Sequence, residues 1–293
     1  MIIVTMVIVI FLIILLSYIY SSDVSNCINN EIVYDYKLPS VDQLNTNKII
    51  WSYWDQAIVP ITVKLARYTW YKHNPDYLIC ILNDKTVSDY IDMTTLPKKY
   101  KQISVQKKAD VIRLALLEKY GCTWLDSTIY LSQPLTWDYD YDVGGYYADF
   151  YTTDIEHPVY ENWFISAPKN SPLITAWKKE FYKGVDSDDY ELYIKNMKTD
   201  FQKLDNHVYL MMHCCFLKII SEKKYRLKVF PASKGPFEYL VSHNWNSLSA
   251  ITYLLTSKDE LPPVIKLRGI ERTILEWMIY YMKNKSILHR LIW

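Results

Sequence analysis

Between Ile2 and Tyr20 the chain reads IIVTMVIVIFLIILLSYIY, without one charged residue. At about 1.5 Å per helical residue such a run spans roughly 28 Å, close to the hydrocarbon thickness of a bilayer. No basic stretch precedes it and no small-residue cleavage site stands before Ser21, so the pattern predicts a signal anchor over 1–21 rather than a cleaved leader. A buried core helix is the competing reading, but a helix apolar on every side at the very start of a chain is seldom one. Residues 22–46 are polar and unpatterned and read as a stem, which leaves 47–293 as the folded domain.

From Lys48 short apolar runs alternate with helical periods. Lys48–Trp54 reads as a buried strand, and Pro60 opens a helix to about His73, a proline being well placed in a first helical turn. Tyr77–Leu82 reads as a second buried strand, and Asn83 to Thr86 can cap a following helix. Lys107–Tyr120 is amphipathic, with Val111, Leu114, Ala115 and Leu117 on one side, and Gly121 stops it. Thr123–Leu131 reads as one strand with Asp126 in its middle. Strand, helix, strand, helix, helix, strand predicts an α/β fold, an open sheet flanked by helices. Later strand candidates are Val143–Ala148, Asn162–Ala167 and Val264–Leu267, and the later helices are Pro172–Tyr182, Leu204–Ser221 and a C-terminal one. Ligands of open α/β sheets sit outside the carboxyl ends of the strands. Trp51–Trp54, Asn83-Asp84 and Asp126 all fall at such ends.

Composition narrows the function. Over 293 residues, 33 Lys+Arg against 32 Asp+Glu leave a net charge of +1, without the basic excess that phosphate-backbone binding needs, so no nucleic-acid partner is expected. Half the residues are hydrophobic, which argues against disorder. The 27 tyrosines against 8 phenylalanines suit a wet, sugar-like pocket or reflect biased codon usage. Five cysteines, none in C-x-x-C spacing, argue against a zinc site, and an odd count excludes complete disulfide pairing. Lys37 is the first basic residue after the apolar run, so charge gives little handle on membrane orientation; one glycosylation sequon, Asn284-Lys285-Ser286, is compatible with a luminal domain.

The chemistry concentrates in Ala109–Arg113 and Tyr120–Thr128. Asp110 and Arg113 stand three apart on one helix and share a face. Asp126 is a carboxylate inside an apolar run, where it must pair with a cation or hold a metal. The plainer alternative is a structural Asp110–Arg113 ion pair and an Asp126 that ends a strand. Such a group of carboxylates and a cation can neutralise charge that develops on a reacting molecule, directly or through a divalent ion. Carboxylates suit Mg²⁺ or Mn²⁺, and an Arg fork can bridge hydroxyls and carboxylates.

Several blocks in order carry a family resemblance: Ile50-Trp51-Ser52-Tyr53-Trp54, Asn74-Pro75-Asp76-Tyr77, Leu82-Asn83-Asp84, Lys108 to Leu114, Tyr120-Gly121, Trp124-Leu125-Asp126 and Asn162-Trp163-Phe164. From about Ile49 to Pro236 the chain resembles retaining glycosyltransferases with the DxD motif, in particular the capsular polysaccharide synthesis family and its relatives in glycosyltransferase family 32. The C-terminal third matches poorly. The resemblance implies a GT-A-like, Rossmann-like mixed sheet, a nucleotide-sugar donor and a glycan or polysaccharide acceptor, with Mn²⁺ or Mg²⁺ as cofactor. It implies that Trp51 packs on the base, that Asp110 and Arg113 grip the donor sugar, and that Asp126 contacts ribose, sugar or metal. Asn83 and Asp84 then line the nucleotide site, unless helix capping accounts for them.

This chain departs from the pattern twice. Cys122 stands where a second glycine is usual, a mild restriction of the turn, and Thr128 replaces the second acid of the DxD motif, making it a weak metal ligand. A further ligand would have to come from His207, His213, His243, Asp149 or Asp205, with His213 on its apolar run more readily a packed core residue. Asp55 stands beside the first strand's end as a base or ribose contact or as part of a polar loop. The tyrosine-rich segment Asp138–Tyr151 reads as an acceptor wall or as a half-buried hairpin. Asn162-Trp163 points to the acceptor, and Lys107 and Lys108 to the diphosphate or to solvent. The expectation is a single-pass, type II membrane-anchored glycosyltransferase, luminal in a Golgi- or ER-like compartment if the source is eukaryotic or viral. The competing reading is an inactive carbohydrate-binding or scaffolding membrane protein on a transferase fold. A soluble hydrolase lacks support, since neither G-x-S-x-G nor H-E-x-x-H occurs.

Overall fold

The computed structural model describes residues 38–282. The expected anchor over 1–21, most of the stem and the sequon at Asn284 lie outside them. Among the described residues no helix is long and apolar enough to cross a membrane. The folded unit begins earlier than residue 47. Leu44 is buried in the main core with Leu38 against it, and the Tyr90 hydroxyl donates to the Pro39 carbonyl.

Strand β1 (Ile49–Tyr53) and strand β2 (Leu78–Leu82) flank helix α1 (Ile61–His73) in sequence and pair in parallel, Ile49 opposite Leu78 and Tyr53 opposite Leu82. Every β1 residue is buried, as a parallel strand covered on both faces requires. Helix α2 (Val105–Tyr120) is capped by the Ser104 hydroxyl, which accepts from the Lys107 amide, and leads into β3 (Cys122–Leu125). Next come β4 (Ile129–Leu131), β5 (Val143–Tyr147), β6 (Tyr160–Ala167), α3 (Pro172–Asp186), α4 (Tyr190–Lys195), α5 (Met211–Glu222) and β7 (Leu227–Pro231). The chain closes with α6 (Glu238–Val241), α7 (Ser247–Thr256), β8 (Val264–Lys266) and α8 (Gly269–Met282).

The large sheet runs β2-β1-β3-β6-β5-β7 and is mixed: β3 and β5 are antiparallel to β6, while β7 is parallel to β5. β4 and β8 form a separate antiparallel pair. One core lies on the face that carries Ile49, Trp51 and Tyr53 and is closed by α2, α3 and α5. The second, on the face of Ile50, is closed by α1, α7, α8 and the small sheet. The α/β architecture expected from the pattern is thus present, as a mixed sheet between helices.

Three expected elements differ. Thr123–Leu131 is not one strand. The Asp126 amide makes a last rung to the Trp163 carbonyl (2.9 Å), and the Ile129 amide then closes on the Asp126 carbonyl (3.0 Å). A carboxylate cannot be buried in the sheet unpaired, and this turn carries it to the edge while the chain crosses to the second sheet. No α-helix follows Asn83. Its side-chain carbonyl accepts from the Lys85 and Thr86 amides, a local turn that competes with helix formation, and only short 3₁₀ turns occur before α2. The helix expected from Leu204 begins at Met211, because Asn206 caps a turn at Tyr209 instead.

Gly121 ends α2 at φ +71°, and a Cβ there would lie 2.4 Å from the Lys169 backbone nitrogen. Cys122 also takes a positive φ, 72°. The cysteine is therefore a sharper restriction than a mild loss of turn freedom, since a side chain in the left-handed region costs about 1–2 kcal/mol.

Candidate active site

A cleft of about 1100 Å³ opens at the carboxyl ends of β1 and β3. Its walls come from the β1 end, the start of α2, the 126–128 turn, the start of β6, the start of α5 and the segment from β8 into α8.

Arg113 is its centre. The residue is 4% exposed. Its Nη2 lies 3.0 Å from Asp126 Oδ1 and 3.3 Å from Asp110 Oδ1, and its Nη1 donates to the Asn162 carbonyl. The guanidinium also sits 4.9 Å over the Trp124 ring. Asn162 returns a hydrogen bond from Nδ2 to Asp110 Oδ1 (3.2 Å). Asp110, Arg113 and Asp126, predicted to act together, therefore converge on one wall, with Asn162 among them. The i, i+3 spacing on α2 and the break after β3 are the local reasons.

Lys266 is the partner the sequence reasoning missed. Its Nζ lies 3.0 Å from Asp126 Oδ2 and 3.0 Å from Thr128 Oγ1. The β4–β8 register sets Lys266 opposite Ile129, just beyond the turn that holds Asp126. The available signal was a lone charge in the apolar run Val264–Leu267, the same signal that singled out Asp126.

The two carboxylates feel different fields. Burial alone would raise Asp126, but the Lys266 ammonium and Arg113 guanidinium hold it below the ordinary carboxylate range. Asp110 is raised: burial pushes it up, Arg113 offsets only part, and the charge on Asp126 adds to the rise. Burial lowers the neighbouring Lys107, whose Nζ donates to the Val208 carbonyl.

Several expected contacts fall elsewhere. Trp51 is fully buried, its Nε1 donates to the Gly121 carbonyl (3.1 Å), and its ring packs between Tyr90 and Tyr120. It offers no face to a base, because β1 turns that side chain into the core. Tyr53 and Trp54 line the cleft instead. Asn83 is used in its own turn and does not line the cleft. Asp84 stands behind Tyr53, accepting its hydroxyl (2.6 Å) and pairing with Lys108 (2.6 Å). Asp55 is at the rim and accepts from the Asp84 amide. The tyrosine-rich segment does not line this cleft: Tyr146 stacks on Trp163 and Tyr141 is buried.

Of the further ligands considered for a metal, His213 alone lines this cleft. The His207 and His243 rings bond backbone carbonyls, Asp149 accepts from Ser233, and Asp205 from the Asn206 amide. Among the described residues no three His, Cys, Asp or Glu side chains are grouped to hold a metal ion. Asp126 and Thr128 already share an ammonium. The donor set does not fit a divalent cation.

Buried nitrogens without a hydrogen-bond partner among the described residues include Trp54 Nε1, Arg113 Nε, His213 Nδ1 and Arg272 Nε. All four residues line the cleft. Leaving a buried donor unmade costs about 1–3 kcal/mol.

The profile of a family described as capsular polysaccharide synthesis protein matches residues 17–230. An O-glycosyltransferase, braB, of Annulohypoxylon truncatum is 24% identical over 163 aligned positions, covering 48% of this chain and 38% of that protein. The chain thus spans well under half of that relative. The solved structure titled PaToxG Glycosyltransferase covers 93% of this chain and 97% of its own, at 16% identity and a TM-score of 0.40.

Proposed function

The chain belongs to the capsular polysaccharide synthesis protein family, and from that membership and the chemistry of the cleft we propose that it is a glycosyltransferase. It moves a sugar from a nucleotide-sugar donor to a hydroxyl of a glycan or polysaccharide acceptor. One observation carries the reading: Arg113 is bound at once to Asp110, Asp126 and the Asn162 backbone, on the wall of a cleft large enough for a nucleotide sugar.

Asp110 and Asn162 offer oxygen and nitrogen to sugar hydroxyls, while Arg113 fixes their relative positions. As the sugar becomes oxocarbenium-like, the carboxylate of Asp126, kept ionised by its two cations, stabilises the developing positive charge. Trp54 and Tyr53 supply aromatic surface where the first strand ends, suited to the nucleotide. Arg272 and Lys107 add cations along the cleft for the diphosphate. Retention of configuration follows the family resemblance. The apolar run Ile2–Tyr20 supports a single-pass anchor, and the sequon at Asn284 is compatible with a luminal catalytic domain.

A screen of UDP- and GDP-sugars that follows nucleotide release tests the reading. Release that is lost in Asp126→Asn and in Arg113→Ala supports it. Full turnover in Asp126→Asn sinks the assignment of that carboxylate, and binding of free sugars without release from any donor favours a carbohydrate-binding protein.

A further inference from the structure

We propose that Lys266 takes the place of the divalent cation in this site, so that the transfer runs without a metal. The inference rests on the donor reading above, in that a diphosphate must leave. The two side chains that a D-x-D pair would turn toward a metal are here Asp126 and Thr128, and both hold the Lys266 ammonium at 3.0 Å. A metal bridging the same oxygens would occupy the same space and face a like charge at hydrogen-bond distance. Lys266 is well placed to stay. Its side chain is 13% exposed, its ammonium lies 5.7 Å over the Trp163 ring, and the β4–β8 register fixes its backbone.

The ammonium also has capacity left. It carries three N–H donors, and Asp126 and Thr128 account for two. The third is available to an oxygen of the leaving diphosphate. Arg113 and Arg272 line the same cleft. Lys266 and Arg272 come from one segment, β8 into α8, which lies beyond the residues matched by the family profile.

In the transfer the bond from the sugar's anomeric carbon to the phosphate oxygen breaks, and its electron pair leaves with that oxygen. The acceptor hydroxyl oxygen forms the new bond, and its proton passes to the released diphosphate. Lys266 stands opposite the charge that develops. A carboxylate shared between Lys266 and Arg113 keeps both cations in place before the donor arrives, which is the preorganisation such stabilisation needs.

The test uses the whole chain and two measurements. Mn²⁺ is titrated by EPR, without nucleotide, into wild type, Lys266→Met and Asp126→Asn. UDP and GDP binding is measured by calorimetry in EDTA and in Mn²⁺. The expected wild type takes up no Mn²⁺ through Asp126, and its nucleotide affinity is the same in EDTA and Mn²⁺. Lys266→Met should weaken nucleotide binding in EDTA by about 10–100-fold, the loss of one charge-assisted hydrogen bond. Lys266→Arg, which keeps the charge, should retain metal-free binding and serves if the methionine variant fails to fold. Mn²⁺ uptake by wild type that vanishes in Asp126→Asn overturns the inference, as does a tenfold loss of nucleotide affinity in EDTA. Failure of both nucleotides to bind under every condition removes the donor reading instead, while the Mn²⁺ titration still decides whether Lys266 excludes a metal.

Discussion

Arg113 Nη2 stands 3.0 Å from Asp126 Oδ1, and this one contact joins helix α2 to the turn after β3. Its consequence is electrostatic as well as geometric. Asp126 has a second cation in Lys266, whereas Asp110 shares Arg113 with Asp126 and receives an amide from Asn162. Two carboxylates that meet the same guanidinium therefore differ in how firmly they stay ionised.

Arg113→Ala removes the cation from a buried network and leaves Asp110 without an ion-pair partner. Breaking such a pair from one side costs about 3–5 kcal/mol. Chemical denaturation should show a loss of that size, and nucleotide release should fall by at least about 100-fold. Arg113→Lys should recover part of the stability but little of the turnover, because an ammonium cannot span Asp110, Asp126 and the Asn162 carbonyl at once. Equal rescue of both quantities would show that the planar fork is irrelevant.

Much of this was legible in the chain. The buried strands, α1, α2 and its glycine stop follow from apolar runs, proline and Gly121, and the spacing of Asp110 and Arg113 gave their shared face. The resemblance matches Trp51 to the base-packing position, yet that ring lies in the core, and with all of β1 buried the pattern alone does not say which residue leaves the sheet. The break at Asp126 and the contribution of Lys266 were hidden for a different reason. They depend on the pairing of β4 with β8, which brings Lys266 to Asp126 across 140 residues of chain and which local periodicity does not encode.

The exchange of Trp51 for Trp54 can be measured directly. Trp51→Phe shortens a fully buried ring and removes its hydrogen bond to the Gly121 carbonyl, so stability should fall by about 1–3 kcal/mol with the donor KM unchanged. Trp54→Ala should leave the melting temperature nearly in place and raise the donor KM by about 5–100-fold, as expected for loss of one aromatic base contact. A donor KM that responds to Trp51 and ignores Trp54 would reverse the assignment.

At the junction of α2 and β3, Gly121→Ala should be destabilising by at least about 1–3 kcal/mol. The backbone there has φ +71°, and the added carbon would meet backbone atoms of Pro168 and Lys169 rather than a movable side chain. The expected signature is a lower denaturant midpoint at unchanged slope. Because this junction sets the entry of the chain that leads to Asp126, turnover should drop as well. A variant as stable as wild type would mean that the 168–169 loop yields freely.

Acid titration separates the two carboxylates by sign. Asp126 has a folded pKa below the ordinary value of 3.8, so its contribution to stability is present above that value and is lost as pH falls through the folded one. Asp110 has a folded pKa above 3.8, so its favourable contribution holds below that value and is lost as pH rises through the folded one. Asp126→Asn should therefore be clearly less stable than wild type at pH 7, with the gap closing below about pH 4, the ordinary carboxylate range. Asp110→Asn should compare better with wild type at pH 7 than at pH 4, since it removes an ionisation that the fold opposes. Denaturation midpoints measured from pH 3 to 8 decide the matter. Parallel curves for the two variants would mean that Lys266 and Arg113 do not divide their charge unequally between Asp126 and Asp110.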